Sequence, residues 1–593
     1  MPILSRFSFS AFRPLLVSGV VIGASLPACR TSYWSKKADD DVYGILEKKE
    51  LMLFGKKVEF DINTPHSAKD PKEIEAISII NSRKDTAARH IDLDDALNLF
   101  VLHRREYQTE KENLYLTGLA LTRARYNFTP QFGASSEAAL DTVTQRAGDG
   151  VARDESQQGS IRSRAGFDQL FKTGGTLAVD VAQDIFRFYL GGGDAPTTGF
   201  FSATLTQPLL RGRGKVATEN LTQSERDVSY AIRSFTRYQK ATALSIITDY
   251  CRILQEKDRV RNEYSNYRNI IAFTERATEL AKDRLPRFQV DQARQDELRA
   301  RNRYIVAVNS YRNRIDDFKL TLGIPIGDEI TIDDNVLRTL EKAGLPAVSL
   351  SPQQALDLAV DDRLDFLNEI DRFEDAKRRI EVAADAFKPG LNLFASANLS
   401  SRGSNGRTSY SNFNPDIYRT RIGIDLDLPL DNMDARNSFR RAEINFDRQL
   451  RQLSLALDQM NSNLREGLRG LELARQSFEI QKNALQLANQ RVEATNLLLE
   501  ADRAETRDLL EARNDQLTAR NALTSALIDY HLTRLNFLHN LGVFDPNDSD
   551  FWTQNPKGTD SRNISPTPPV DDTQQELVTP DELFQETSPK EAS

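Results

Sequence analysis

Cysteine is almost missing from the 593-residue chain: Cys29 and Cys251 are the only two, too few for a disulfide framework, a cysteine-rich zinc site or an iron–sulfur cluster. Five histidines leave little scope for metal chemistry, and four methionines give no support to a thioether path for a soft metal. Positive charge is also short. Lys+Arg 78 against Asp+Glu 86 gives a net charge of −8, which argues against a nucleic-acid partner, since that would want a basic face. After residue 30 no run of eighteen apolar residues occurs, so no later segment spans a membrane as a helix. Signatures of chemistry are lacking as well. Gly212-Arg-Gly-Lys215 has no upstream glycine, and Val216 stands where a phosphate loop needs Ser or Thr. Gly191-Gly-Gly193 opens no amphipathic helix and reads as a loop between strands. His531 and His539 are eight residues apart, away from HExxH spacing, and read as helix surface or packing. Asp94-Asp95 and Asp361-Asp362 lie near expected helix starts, where carboxylates complement the dipole. No catalytic residue, metal or cofactor is expected, and the chain is not read as an enzyme.

What is present begins with a leader. Arg6 and Arg13 flank an apolar stretch from Leu15 to Ala24 that ends in Leu26-Pro27-Ala28-Cys29. Its apolar core is too short to cross about 30 Å of hydrocarbon. Small Ala28 before Cys29 resembles a bacterial lipoprotein signal cleaved between them, which implies a palmitate-bearing lipoprotein with a diacylglycerol on the Cys29 thiol. Acyl chains add roughly 0.8 kcal/mol of membrane attachment per buried CH₂. An ordinary secretory leader with an incidental Cys29 is the alternative.

The most informative feature is an internal duplication. Leu280-Ala-Lys-Asp-Arg-Leu-Pro-Arg-Phe-Gln-Val-Asp-Gln-Ala-Arg294 aligns with Leu499-Glu-Ala-Asp-Arg-Ala-Glu-Thr-Arg-Asp-Leu-Leu-Glu-Ala-Arg513, and Leu322-Gly323 with Leu541-Gly542 at the same offset. Upstream, Ala96-Leu97 and Pro130 align with Ala355-Leu356 and Pro389, while Leu205 and Pro208 align with Leu426 and Pro429. The two upstream offsets differ by 38, so copy one carries that many extra residues between Pro130 and Pro208. Being rich in Gly and Ser, the insertion is expected to be mostly loop.

Within each copy the hydrophobic period changes. Residues 418 to 428 alternate, with Tyr418, Ile422, Ile424 and Leu426 on one face and Arg419, Arg421, Asp425 and Asp427 on the other. Residues 391 to 399 alternate likewise, as does copy one from Phe201 to Leu205. Such strands suit a tilted bilayer crossing, although a soluble sandwich would show the same pattern. After Pro429 the period is seven: Leu450, Leu457, Leu464, Leu471, Phe478 and Leu485 hold one position of successive heptads, which predicts a supercoiled helix against a neighbour. Lys215 to Lys282 gives a helix of about 100 Å. Segments 93 to 127 and 289 to 320, end to end, match that length, and copy two repeats the scheme with 352 to 386, 437 to 500 and 508 to 539.

This order of elements, doubled, resembles the TolC-type outer-membrane efflux proteins over about residues 90 to 544. Its carriers here are Leu93-Asp-Asp-Ala-Leu97, Ser351-Pro-Gln-Gln-Ala-Leu356, Pro130, Pro389, Thr206-Gln-Pro-Leu-Leu-Arg-Gly212 and the two Leu-Gly pairs. The resemblance implies a mixed α+β membrane protein: a homotrimer with four strands per chain in a twelve-stranded β-barrel, continuing into a periplasmic α-helical tunnel. Four strands leave two open edges that lipid cannot satisfy, so such a chain must oligomerise. By the same resemblance Arg419, Arg421, Asp425 and Asp427 are pore-lining. Asp283, Arg284, Asp502 and Arg503 lie at periplasmic tips that gate the tunnel and meet a periplasmic adaptor (membrane fusion) protein of an inner-membrane pump. Solvated turn charges with no selective role are the other reading of those four.

The expected organisation is a signal peptide (1–28), a lipid anchor and periplasmic arm (29–90), a first repeat (91–323), a connector (324–349), a second repeat (350–544) and a disordered tail (545–593) rich in Pro, Asp, Glu, Ser and Thr. The function expected is a passive outer-membrane conduit of a tripartite export system, held in outer-membrane lipid. A structural coiled-coil envelope lipoprotein without channel activity is the runner-up, and the alternating strands, which a tether does not need, discriminate against it.

Overall fold

The computed structural model describes residues 31–55, 60–67, 69–146, 153–190, 197–282, 286–401, 413–501, 503–548 and 551–553. Cys29, the leader and most of the C-terminal tail lie outside them. The chain runs α1 (Thr31–Phe54), α2 (Ala76–Lys84), β1 (Ala88–Ile91), α3 (Leu93–His103) and α4 (Arg105–Tyr126). Four strands follow, β2 (Gln131–Arg146), β3 (Arg153–Leu170), β4 (Thr176–Leu190) and β5 (Thr197–Pro208), then α5 (Lys215–Leu280) and α6 (Arg287–Leu322). The second half comprises β6 (Glu329–Ile332), α7 (Asn335–Ala343), α8 (Pro352–Asp362), α9 (Leu364–Asp385), β7 (Gly390–Ser401), β8 (Phe413–Asp427), α10 (Met433–Glu500) and α11 (Thr506–Leu541).

Local chemistry explains the helix boundaries. Asp92 accepts from the Asp95 N–H at 2.7 Å to start α3, and Ser351 with Gln354 forms a reciprocal cap at α8, where Pro352 loses no helical hydrogen bond. The segments expected as single helices, 93–127 and 352–386, each break once, at Arg104 (ψ 125°) and Arg363 (ψ 107°). The two breaks are equivalent positions of the duplication. Their cause is the glycine ending the partner helix of each copy. Gly323 and Gly542 turn with φ of 75° and 90°, and a Cβ on Gly542 would stand 2.7 Å from the Asp362 carbonyl oxygen. Backbone meets backbone here, so each pair of short helices stacks into one column. Because of the second break, Asp361-Asp362 closes α8 instead of lying at a helix start.

The columns form a layer of four: α4 with α6, then α5, then α9 with α11, then α10. Its core runs through both halves, with Ile246, Tyr250, Leu464, Ile528 and Leu535 buried. Cys251 lies inside it, and burial pushes its thiol up to about 12, which leaves it inert. A clasp joins the copies: Asp375 of α9, with its side chain 3% exposed, accepts from Tyr230 Oη at 2.7 Å and Arg378 Nη1 at 2.9 Å and pairs with Arg226. The arm is partly built in, since Val42 and Leu46 of α1 are buried and Tyr115 donates to Asp39 at 2.7 Å. Within the connector, β6 pairs in parallel with β1, and Tyr530 donates to the Pro346 carbonyl oxygen at 2.7 Å. Of the tail expected to be disordered, 551–553 is packed: Phe551 and Trp552 are 5% and 6% exposed, and Arg534 donates to the Trp552 carbonyl oxygen.

The insertion corrects the sequence expectation. It is not mostly loop; it is β3, a turn and β4, inside a six-stranded antiparallel sheet ordered β2-β3-β4-β5-β7-β8. The chain therefore offers six strands, against the four that a twelve-stranded barrel would need from each of three copies. Gly and Ser lie within β3, where Gly159, Ser160, Ser163 and Gly166 serve as small strand residues between neighbours on both sides. As a test of the column junction, Gly542→Val is expected to lower stability by about 1–3 kcal/mol, from positive φ and the carbonyl approach together. Thermal unfolding followed by circular dichroism at 222 nm, against wild type, measures it.

Candidate functional site

The sheet has two chemically distinct faces because antiparallel partners share a side. Registers Phe132↔Phe167, Phe167↔Val179, Val179↔Ala203, Ala203↔Ala397 and Ala395↔Ile422 carry one apolar face across all six strands. That face is bare: Phe132 is 78% exposed, Ile422 77% and Ile424 65%. Apolar surface this continuous marks a contact with lipid or another chain. The reverse face is polar, through pairs such as Glu137↔Arg162, Arg162↔Asp184 and Asn392↔Asp425.

Arg419, Arg421, Asp425 and Asp427 all lie on the polar face of β8, as the alternation predicts. Arg421 stacks over the Phe394 ring at 5.3 Å, and Asp427 accepts from Arg211 Nη2 at 2.7 Å across a half-open pair. Arg211 belongs to the Thr206–Gly212 motif, whose job emerges at this strand–helix junction. Gly212 N–H donates to Asp385 Oδ2 at 2.6 Å, tying the end of β5 to the end of α9. Burial acts to raise the Asp385 carboxyl, but Lys388, the Gly212 N–H and Arg211 outweigh it and hold it below the usual range.

The inserted strands were missed as functional elements. They add Arg162, Arg164, Asp168, Asp180 and Asp184 to the polar face. β4 did carry a readable signal, Leu177, Val179 and Val181 alternating with Ala178, Asp180 and Ala182.

At the far end of the layer, Asp283, Arg284 and Asp502 lie outside the described residues. Arg503 is exposed, with its N–H donating to the Leu498 carbonyl oxygen at 2.8 Å at the end of α10. The two helical hairpins meet near this end. Thr506 Oγ1 donates to Gln289 Oε1 at 3.1 Å, and Ile270, Phe273, Ala293, Leu509 and Leu510 share one small core. Among the described residues no cluster of three or more metal-ligating side chains occurs, and no helix is long and apolar enough to cross a membrane.

The fold so defined, an amphipathic antiparallel sheet leading into a layer of very long helices, is that of outer-membrane channel proteins. Residues 355–542 match the outer membrane efflux protein family. Solved structures with the same fold include VceC of Vibrio cholerae (13% identity, TM-score 0.54), aligned over 76% of this chain and 96% of that one. The Campylobacter jejuni CmeC outer membrane channel is similar at 12% identity and TM-score 0.55, over 77% and 87% of the two chains. The open-state MtrE channel of Neisseria gonorrhoeae follows at 13% and 0.51, over 76% and 89%. No curated protein matches the chain in sequence.

His531 and His539 of α11 prove to be packing residues. Burial and then Arg534 lower His531 to about 4; burial and then Arg237, Lys240 and Arg363 do the same to His539. The native state keeps both neutral, whereas the unfolded chain takes protons near pH 6.5. Their contribution to stability is therefore complete above about pH 6.5 and is lost as pH falls towards 4. The thermal midpoint is expected to drop across that window, and less steeply in His531→Gln, in melts run at pH 7.5, 6, 5 and 4.

Proposed function

We propose that the protein is the outer-membrane channel component of a tripartite export system, a passive conduit from periplasm to exterior. One observation carries the reading: the chain is unfinished at the same two sides in both of its layers. In the sheet, β2 and β8 each have one unpaired edge. In the helical layer, α10 leaves Leu473, Ile480 and Leu487 at 69%, 63% and 65% exposure, and α6 leaves Leu298 and Ile305 at 64% and 54%. These residues stand at heptad spacing, the pattern of a coiled-coil seam without its partner. As β8 feeds α10 and α4 feeds β2, both open sides of one copy fit the opposite open sides of another. Copies repeated about an axis satisfy every edge, and the family resemblance makes the number three.

In that trimer the apolar sheet face meets lipid, and Arg419, Arg421, Asp425 and Asp427 face the water-filled bore, where charge costs little and selects ions. Helices α5 and α10, of 66 and 68 residues, carry the conduit about 100 Å into the periplasm. Asp283, Arg284, Asp502 and Arg503 sit at its inner end, facing a periplasmic adaptor and through it an inner-membrane pump. Cys29 bears the acyl anchor in the outer membrane. A tethering lipoprotein has no use for a two-faced sheet, so the channel reading is preferred.

In planar bilayers, Asp425→Lys combined with Asp427→Lys is expected to move the reversal potential under a salt gradient toward anion selectivity. An unaltered reversal potential removes these two aspartates from the pore wall.

A further inference from the structure

Among the described residues the hairpin β3–β4 has no counterpart in copy two, where β7 pairs with β8. Aligned with copy two, β2 takes the place of β7 and β5 that of β8, so β3 and β4 are the added pair. Three observations make it part of the wall. β3 is hydrogen-bonded along its whole length to β2, from Gln131↔Asp168 to Arg146↔Arg153, and β4 pairs with β5 from Thr176↔Thr206 to Ile185↔Thr197. At 18 and 15 residues, the two strands exceed the roughly 9–11 needed for a tilted crossing. Their faces also continue those of the neighbours, with Ile161, Phe167 and Val181 on the apolar side and Arg162, Arg164 and Asp180 on the polar side.

The turn between them is seated where sheet becomes helix. Gly214 N–H donates to the Thr173 carbonyl oxygen at 3.2 Å, and Thr173 Oγ1 donates to Gln207 Oε1 at 2.9 Å. Gly174, at φ 91°, lies so close that a Cβ would come within 2.6 Å of the Gly212 carbonyl oxygen. A flap lying outside the membrane needs no such seat.

Resting on the trimeric channel reading above, we infer that β3–β4 is a membrane-crossing hairpin. Three copies of the six-stranded sheet then close an eighteen-stranded barrel, and Arg162, Arg164, Asp168, Asp180 and Asp184 line its bore. The girth of the conduit favours this number. A strand tilted near 40° occupies about 6 Å of circumference, so eighteen strands enclose about 110 Å and twelve only about 75 Å. Twelve helical columns, four per copy, at 8–10 Å each take about 100–120 Å. The added hairpin lets the barrel match the tunnel below it, so the barrel does not form the constriction. Such a bore passes hydrated solutes too bulky for a twelve-stranded one.

The test uses full-length protein in outer-membrane vesicles. Single cysteines replace Val179, Asp180 or Val181 in β4 and, as reference, Ile424 or Asp425 in β8. Each is treated with a membrane-impermeant sulfonated maleimide and with a lipid-soluble one. The buried Cys251 stays silent in unfolded-free samples. The expected result is the same alternation in both strands: Asp180→Cys and Asp425→Cys react with the water-soluble reagent, and the other three react at least tenfold less with it. Alternation in β8 but uniform water-accessibility in β4 overturns the hairpin's place in the wall and leaves the channel reading standing. Loss of alternation in β8 overturns the channel reading itself. Electron cryomicroscopy in nanodiscs supplies a second readout. Eighteen strands support the inference for wild type, with twelve expected after deletion of Arg153–Leu190, and twelve strands in wild type overturn it.

Discussion

A backbone amide in hydrocarbon has no partner except another backbone group, and on the proposed channel reading most of this architecture answers that demand. The six-stranded sheet satisfies its four inner strands and leaves β2 and β8 half-paired. A lone copy in lipid would expose two rows of unmet N–H and C=O groups, each costing several kcal/mol. The same sheet carries one largely apolar face and one rich in Arg, Asp, Asn and Ser, the division that a wall between lipid and water requires. Closure by identical copies, as proposed above, would resolve edges and faces together.

The helical layer follows from the sheet. Each set of strands, four in the first half and two in the second, takes its chain from a short helix and hands it to a long one, and the junction residues fix that exchange. Arg211 to Asp427 and Gly212 to Asp385 link the two copies where strands end. Further along, the Asp375 clasp and the Gly323 and Gly542 junctions keep the columns in register. A buried carboxylate with two guanidinium partners and a tyrosine hydroxyl is costly to break, because removing any partner strands charge away from water. The layer is therefore stiff near the sheet. Towards the other end it relies on small residues, Ala277, Ala293 and Ala300, at close helix contacts.

Much of this was legible in the sequence, and the limits are physical. The duplication gave the element order because equivalent turns need equivalent residues. The alternation from Tyr418 to Leu428 located β8 because one side of that strand is uniformly large and apolar. β3 escaped because its positions on the apolar face include Ser163 and Ala165, so hydrophobic contrast disappears although the pleat persists. The breaks at Arg104 and Arg363 were invisible for another reason. Neither position carries a helix-breaking residue, and the cause sits over 170 residues away, in the glycines that approach them. The heptads of α10 were plain, but only Leu464 and Leu471 of that stripe are fully buried within one copy. Periodicity reports that a partner exists without saying whether it belongs to the same chain. The assignment of Asp283, Arg284, Asp502 and Arg503 to a tunnel tip depends on the resemblance alone, since turn charges leave no pattern.

The pairing of β5 with β7, and of β1 with β6, has a consequence for biogenesis. Phe200 stands in register with Ser400, and Ala88 with Glu329, so neither sheet can be completed until the second half of the polypeptide has emerged. Loop closure over such distances is slow and leaves sticky ribbons uncovered meanwhile. The N-terminal strands therefore keep an unpaired edge through synthesis of some two hundred further residues, the interval in which wrong pairings compete with the right one.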